Sequence, residues 1–125
     1  MTTKAAVRTT QEVANRLSEL FKENKWNEAQ DELFSEDAQS IEPPHAQGLQ
    51  TVKGLDNIRK KGQDFQNMVE EVHGGYAGEP IVAGNFIAIA MGMDVTLKGM
   101  GRKQIDEIAL YEVKDGKIVR EQFFY

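Results

Sequence analysis

Two glutamates near the end of the chain, Glu107 and Glu121, stand among aromatic and aliphatic residues, a setting that suits general acid–base chemistry. They belong to the stretch that ends in Tyr111 to Tyr125 (YEVKDGKIVREQFFY), which reads as two strands joined at Lys114-Asp115-Gly116-Lys117. Asp-Gly favours positive φ, and with Gly116 as the left-handed bulge residue of a three-residue loop, Val113 pairs with Lys117. Counting back sets Tyr111 opposite Val119, Ala109 opposite Glu121, Glu107 opposite Phe123 and Ile105 opposite Tyr125, all on one face. In that register the two glutamates are diagonal neighbours, about 7–8 Å apart at their α-carbons. Enclosed by Ile105, Tyr111, Phe123 and Tyr125, they would lose solvent and repel each other, which raises at least one pKa toward neutrality. The competing reading has both partly solvated and paired with Arg102, Lys103 or a helix lysine. Everything rests on the register, because a two-residue turn would put the pair on opposite faces.

Other residues qualify as site candidates, each with a plainer alternative. Glu42, before Pro43-Pro44, is either a pocket base or a solvated acid at a strand end. His45 is a lid residue or acid–base partner, or else an ordinary exposed loop histidine. His73, alternating with Glu71, points into a cavity or is satisfied within the sheet. Trp26 and Tyr76 line a pocket or belong to the core, and Tyr125 or Tyr76 could donate a hydrogen bond to a ligand. The expected ligand-binding set is Trp26, His45, His73, Tyr76, Tyr111, Phe123 and Tyr125, and the expected catalytic set is Glu42, Glu107 and Glu121. Two distant histidines give no metal site, and Gly74-Gly75 and Gly99-Met100-Gly101 lack the strand-to-helix setting of a phosphate cradle, so no metal and no cofactor are expected. Lys60 and Lys61 read as a solvated helix face.

The elements that must position these groups are legible in outline. Thr9 and Glu12 form a capping box ahead of Val13, Leu17, Leu20 and Phe21, which repeat at helical spacing. Trp26, Ala29, Leu33 and Phe34 continue a second short helical stripe. Gln39 to Glu42 forms a short strand ended by the prolines, and the loop Pro43 to Gln50 follows. Gly54 caps a third helix whose buried side is Leu55, Ile58, Phe65 and Met68, with Gly62 allowing close packing. Beyond it the pattern alternates, which predicts strands at Glu70 to Ala77, Pro80 to Val82, Phe86 to Leu97, Arg102 to Val113 and Lys117 to Tyr125. Helices first and strands after them argue for an α+β fold, with three N-terminal helices on one face of a curved, mostly antiparallel sheet. On the strand from Phe86, Ile87, Ile89, Met91, Met93, Val95 and Leu97 form the core face, opposite a small-residue face. Ile108, Leu110 and Phe124 among Asp106, Arg120 and Gln122 form a mixed surface more usual in an interface, so a homodimer through the sheet is expected.

The 125 residues suit one domain, with residues 1–8 expected to be flexible. Twenty acidic against fifteen basic residues give a net charge of −5, which repels phosphate backbones and argues against nucleic acid as a partner. With no cysteine, thiolate chemistry and disulfides are excluded, and a reducing compartment fits. The first ten residues carry no signal-peptide run and the longest apolar stretch, Phe86 to Met93, is too short for a membrane span. A cytoplasmic protein is expected.

Three features together span nearly the whole chain: the helical pair ending in Trp26 and Leu33-Phe34, the run Leu33 to Pro43 (LFSEDAQSIEP), and the closing Asp115-Gly116-Lys117-Ile118 hairpin. In these the chain resembles the nuclear transport factor 2-like superfamily, in its SnoaL-like and ketosteroid-isomerase-like branch. The resemblance implies a cone-shaped, cystatin-like roll, usually dimeric, with a pocket between helices and concave sheet. It also implies that Glu42, just before Pro43, occupies the place of the proton-shuttling carboxylate of ketosteroid isomerases. Their phenolic donor would fall near Leu17 or Ser18 and their neutral acid near Ala109, and neither is present. Each missing oxyanion donor costs roughly 3–4 kcal/mol of barrier, which disfavours steroid isomerisation. Cyclases and epoxide hydrolases of the superfamily use late-strand carboxylates, and Glu107 and Glu121 lie on the corresponding side. Two functions follow as expectations. One is a pocket protein for an apolar small molecule, acting as a cofactor-independent isomerase, cyclase or lyase on a carbonyl or cyclic substrate. The other is a non-catalytic ligand-binding or dimerisation module.

Overall fold

The computed structural model describes residues 7–46 and 48–125. Helix α1, Thr10–Lys22, starts where Thr9 accepts from the Glu12 amide at 3.1 Å while the Glu12 carboxylate accepts from the Thr9 amide at 2.9 Å. This reciprocal cap satisfies two amides that the first turn leaves unpaired. Its buried stripe is Val13, Ala14, Leu17, Leu20 and Phe21. Asn24, with φ of 58°, breaks the helix, and α2, Trp26–Leu33, turns back to bury Ala29 and Leu33. The chain passes without a loop into β1, Phe34–Ile41, which is twice the length the sequence suggests because pairing with the C-terminal strand carries it back to Phe34. After the proline loop a two-residue strand, β2 at Val52–Lys53, pairs antiparallel with β1, an element too short to leave an alternation signal.

Helix α3, Leu55–Met68, follows Gly54, whose φ of 96° turns the chain into the helix while its amide donates to Ala38 O at 2.8 Å. Leu55 and Ile58 are buried, and Phe65 and Met68 are half-buried. Gly62 has open space where a Cβ would stand, so it permits no close packing, contrary to expectation. The strands β3 (Val69–Ala77), β4 (Ile81–Ala83), β5 (Phe86–Leu97), β6 (Gly101–Lys114) and β7 (Lys117–Phe124) complete one seven-stranded sheet. Its order is β2-β1-β7-β6-β5-β3, with β4 also beside β5, and only β1 and β7 run parallel. The α+β architecture, three helices against a mostly antiparallel curved sheet, is therefore the one the sequence predicts. Of residues 1–8, the six outside the described residues carry no structural statement, whereas Arg8 pairs with Glu32 at 3.1 Å.

The core lies between the helices and the inner face of the sheet. Ile87, Ile89 and Met91 of β5 and Ala109, Tyr111 and Val113 of β6 meet the stripes of α1 and α2, and Val95 and Leu97 are buried farther along β5. The outer face is built differently. At Gly92 a Cβ would stand 2.5 Å from the Tyr76 ring and 2.8 Å from Ile105 O, so the absence of a side chain is what lets Tyr76 cross the strand.

Candidate functional site

Three elements converge beneath the helix layer. Parallel pairing sets Ser40 of β1 beside Glu121 of β7, and the buried Ser40 hydroxyl donates to Glu121 Oε1 at 2.7 Å. Two residues on, alternation returns Glu42 to the same face, where it is buried and its amide donates to Thr51 Oγ1 at 3.0 Å. From α3, Lys61 reaches down to both. Its ammonium donates to Glu42 Oε2 at 2.7 Å and to Ser40 Oγ at 2.6 Å, and its side chain is only 11% exposed. The Tyr125 hydroxyl donates to the other Glu42 oxygen at 2.8 Å. Both oxygens of Glu42 are thus engaged, and an unbroken chain of donors runs from Lys61 through Ser40 to Glu121.

The hairpin register differs from the expected one in two compensating steps. The loop holds two residues, Asp115 and Gly116, with φ of 51° and 76°, so that Lys114 pairs with Lys117 and Val113 with Ile118. Positive φ at both positions is the geometry whose twist matches a two-residue hairpin. Alone, this would have put Glu107 and Glu121 on opposite faces. A bulge then takes up Val119, so that Glu112 pairs with Arg120, Tyr111 with Glu121 and Ala109 with Phe123. The extra residue reverses the alternation once more and returns Glu121 to the inner face. The expected partners, Ala109 for Glu121 and Glu107 for Phe123, are therefore corrected by two residues. Glu107 now lies four residues along β6 from the partner of Glu121, about 13 Å at strand rise, rather than diagonally beside it.

Electrostatics still joins the acids. Burial pushes Glu107 up to about 7, helped by repulsion from Glu42 and then Glu121, with Lys61 pulling the other way. Burial also pushes Glu121 up to about 7, against the Ser40 hydrogen bond and Lys61, both of which favour the charged form. Burial and the bond to Glu42 hold the Tyr125 hydroxyl above its ordinary range, so it stays a donor. Glu107 is half-buried and has no side-chain hydrogen-bond partner among the described residues.

The remaining expected residues divide cleanly. Tyr125 touches Glu42, His45 is exposed with its ring edge-on to Tyr125 at 5.7 Å, and the Phe123 ring lies 5.7 Å from the Lys61 ammonium. Tyr111 pairs with Glu121 but is fully buried against Phe34 and Phe21, as a floor beneath the acids. Trp26 stacks on Phe21 at 4.2 Å and packs on the core, away from the carboxylates. Tyr76 and His73 are on the outer face, which corrects their assignment to the cavity. Tyr76, half exposed, donates to Asp106 at 2.8 Å, and His73 Nε2 meets the Thr96 hydroxyl at 2.8 Å. A register irregularity between Val72 and Gly74 falls at His73 and hides its facing from a residue count, whereas the two irregularities of β3 together cancel, so that Tyr76 faces as an unbroken count from Val69 gives.

Lys61 and Ser40 are the site residues that the sequence reading missed. The signal was present: Lys61 falls three residues after Ile58 and four before Phe65, inside the buried stripe, and Ser40 alternates with Glu42. A groove of about 620 Å³ lies elsewhere, between α2 and α3, lined by Asn27, Asp31, Arg59, Lys60, Gln63 and Asp64, and contains none of these acids. Among the described residues no three histidines or carboxylates are arranged to hold a metal ion, and no helix is long and apolar enough to cross a membrane.

Helices laid on a concave sheet that holds two neutral-range carboxyls beside a lysine–carboxylate pair define an α+β roll with an acid–base cluster on its inner face. The chain belongs to the SnoaL-like domain family, whose model matches residues 8–125. It is similar over 94% of its length to the whole of a Mesorhizobium loti protein provisionally named a SnoaL-like polyketide cyclase, at 35% identity and a TM-score of 0.87. A Xanthomonas campestris protein with a cystatin-like fold matches 94% of this chain and 90% of its own, at 17% identity and a TM-score of 0.76. A Catenulispora acidiphila protein of ketosteroid isomerase-like fold matches 94% and 87%, at 20% identity and 0.65. The last two likenesses concern fold alone. No curated protein matches the chain.

Proposed function

We propose that this protein binds an apolar carbonyl-containing or cyclic small molecule on the inner face of its sheet and moves a proton on it without a cofactor, as an isomerase, cyclase or lyase. The observation that carries the reading is Glu107, a half-buried carboxyl held near neutrality and left without a hydrogen-bond partner among the described residues. A group whose pKa lies near the working pH is best able both to take and to return a proton. As carboxylate it takes a hydron from the carbon beside a carbonyl, the C–H electron pair moves toward the carbonyl oxygen, and the resulting acid returns the proton at another carbon. Ring closure begins with the same deprotonation, and the provisional name of the Mesorhizobium loti relative supports a cyclase within this group. Glu42, expected to be the base, serves instead as the anchor for Lys61 and Tyr125. With each oxygen already accepting one hydrogen bond, it is a poorer proton acceptor than the unpartnered Glu107.

The test is a side-chain NMR titration combined with deuterium exchange into simple cyclic ketones. The Glu107 carboxyl is expected to titrate near 7, and Glu107→Gln to slow exchange about 10²–10⁴-fold. Titration near the ordinary value for glutamate, about 4.3, with no exchange above background, would sink the reading. It would leave the second one, a ligand-binding module without chemistry, which the groove between α2 and α3, set apart from Glu42, Glu107 and Glu121, favours.

We also propose that the outer face of the sheet joins two copies of the chain. Ile108 and Phe124 are register partners, each about half exposed at 50% and 48%, and Ala90 extends the patch onto β5. The Glu112–Arg120 pair at 3.5 Å borders it, as a polar rim does around an apolar centre. Sedimentation equilibrium is expected to give a dimer that Ile108→Lys converts to a monomer, and a wild-type monomer at micromolar concentration refutes the interface. The cysteine-free chain supports a reducing, cytoplasmic setting.

A further inference from the structure

We propose that Lys61 is the electrophilic residue of this site, surrendering part of its ion pair with Glu42 to hold the oxygen of an enolisable ketone or an acidic phenol as that oxygen becomes anionic. The proposal rests on the acid–base reading above and names the substrate class that reading leaves open. Removing a proton beside a carbonyl leaves negative charge on oxygen, and in a poorly solvated site that charge needs a donor already in place.

Counting donors leads to Lys61. Of the inward side chains of β5 and β6 around the acids, Ile87, Ile89, Met91 and Ala109 donate nothing, and Tyr111 carries a single phenolic O–H on a side chain fully buried against Phe21 and Phe34. The Ser40 hydroxyl is committed to Glu121 and the Tyr125 hydroxyl to Glu42. Lys61 carries three N–H groups, two of them directed at Ser40 and Glu42. Its remaining near neighbour is the Phe123 ring at 5.7 Å, a far weaker partner than an oxyanion. It is also the cation that acts on both Glu107 and Glu121, so its field already reaches the base. During proton transfer the electron pair from the broken C–H bond moves onto the carbonyl oxygen and the proton onto Glu107. The ammonium need only donate a hydrogen bond, with Ser40 and Glu42 keeping it in place.

The test uses 4-nitrophenol, whose ionised form is visible by its absorbance, with 4-nitroanisole as a control that cannot ionise. Below the pKa of the free phenol, the wild-type protein is expected to bind 4-nitrophenol in its coloured, ionised form. Glu42→Gln, which frees Lys61 from its counter-charge, is expected to strengthen that binding. The Lys61→Met/Glu42→Gln pair, in which no charge is left stranded, is expected to weaken phenolate binding at least about tenfold, equivalent to one pKa unit of the bound phenol, with 4-nitroanisole unchanged. Equal phenolate binding with and without Lys61 overturns the proposal and leaves the acid–base site standing. Failure of both probes to bind the wild-type protein overturns the proposal together with the pocket reading beneath it.

Discussion

Lys61→Met is expected to lower the free energy of unfolding by about 3–5 kcal/mol at neutral pH, the usual cost of removing one member of a buried ion pair. Lys61 and Glu42 are 11% and 5% exposed at the side chain and 2.7 Å apart, so the carboxylate left behind has no solvent to turn to. Ser40 would lose the ammonium that donates to it as well. Most of the loss should therefore come from stranding Glu42 rather than from the missing attraction. That makes a specific forecast for a double-mutant cycle. Glu42→Gln keeps an acceptor for Tyr125 and removes the charge, so the double variant should be more stable than Lys61→Met alone, with a coupling energy in the range of 0.5–3 kcal/mol seen for contacting residues, given roughly. Urea unfolding of the four proteins measures it. A coupling near zero would mean that the pair behaves like a screened surface bridge and that burial has been overstated.

Stability is also expected to fall as pH rises from about 4.5 to above 7, the reverse of what paired surface acids produce. Glu107 and Glu121 are both raised from 4.5 to about 7, chiefly by burial, so within that window the folded chain binds more protons than the unfolded one. The derivative of unfolding free energy with pH is then negative. Their stabilising contribution is fully present below 4.5, declines through about 7, and is gone above it. For Glu121, ionisation of the folded state costs on the order of 3 kcal/mol. Because both acids also feel Glu42, they titrate as a coupled set and their effects do not simply add. Glu12 and Glu32, held low by the Thr9 cap and by Arg16, act oppositely and lose their contribution only as pH falls below the ordinary carboxylate range. Maximum stability should therefore lie near pH 5. Glu121→Gln retains an acceptor for Ser40 and cannot ionise, so it should gain stability at pH 8.5 and change little at pH 5. A wild-type stability that is level between those two pH values would show that the acids are hydrated and ordinary.

Most of the fold could be read from local signals, and the candidate site only in part. The Thr9–Glu12 capping box, the stripes of the three helices and the alternation of Phe86 to Leu97 each depend on neighbours a few residues away, which is why their boundaries fall within a residue or two of the elements. Glu107 and Glu121 could be placed on the inner face, but through a register that was wrong by one residue at the turn and by another at Val119. The facing of His73 is hidden for a related reason, since an irregularity of β3 against β5 falls between Val72 and Gly74. Lysine usually faces solvent, whereas the place of Lys61 between Ile58 and Phe65 in the helical stripe turns it inward, and its side chain is 11% exposed.

What the sequence by itself determined about this protein is its order of elements, its α+β class and the supply of acids on late strands, because propensity, capping and hydrophobic period act over a few residues. What only the tertiary structure decided is which of those groups meet. Ser40 and Glu121 are 81 positions apart and Lys61 and Glu42 are 19, joined by a parallel strand pairing and by a helix docked over it. The bulge at Val119 completes the arrangement, since one added residue turns every later side chain of the strand to the other face, and packing over the whole sheet settles whether it is inserted.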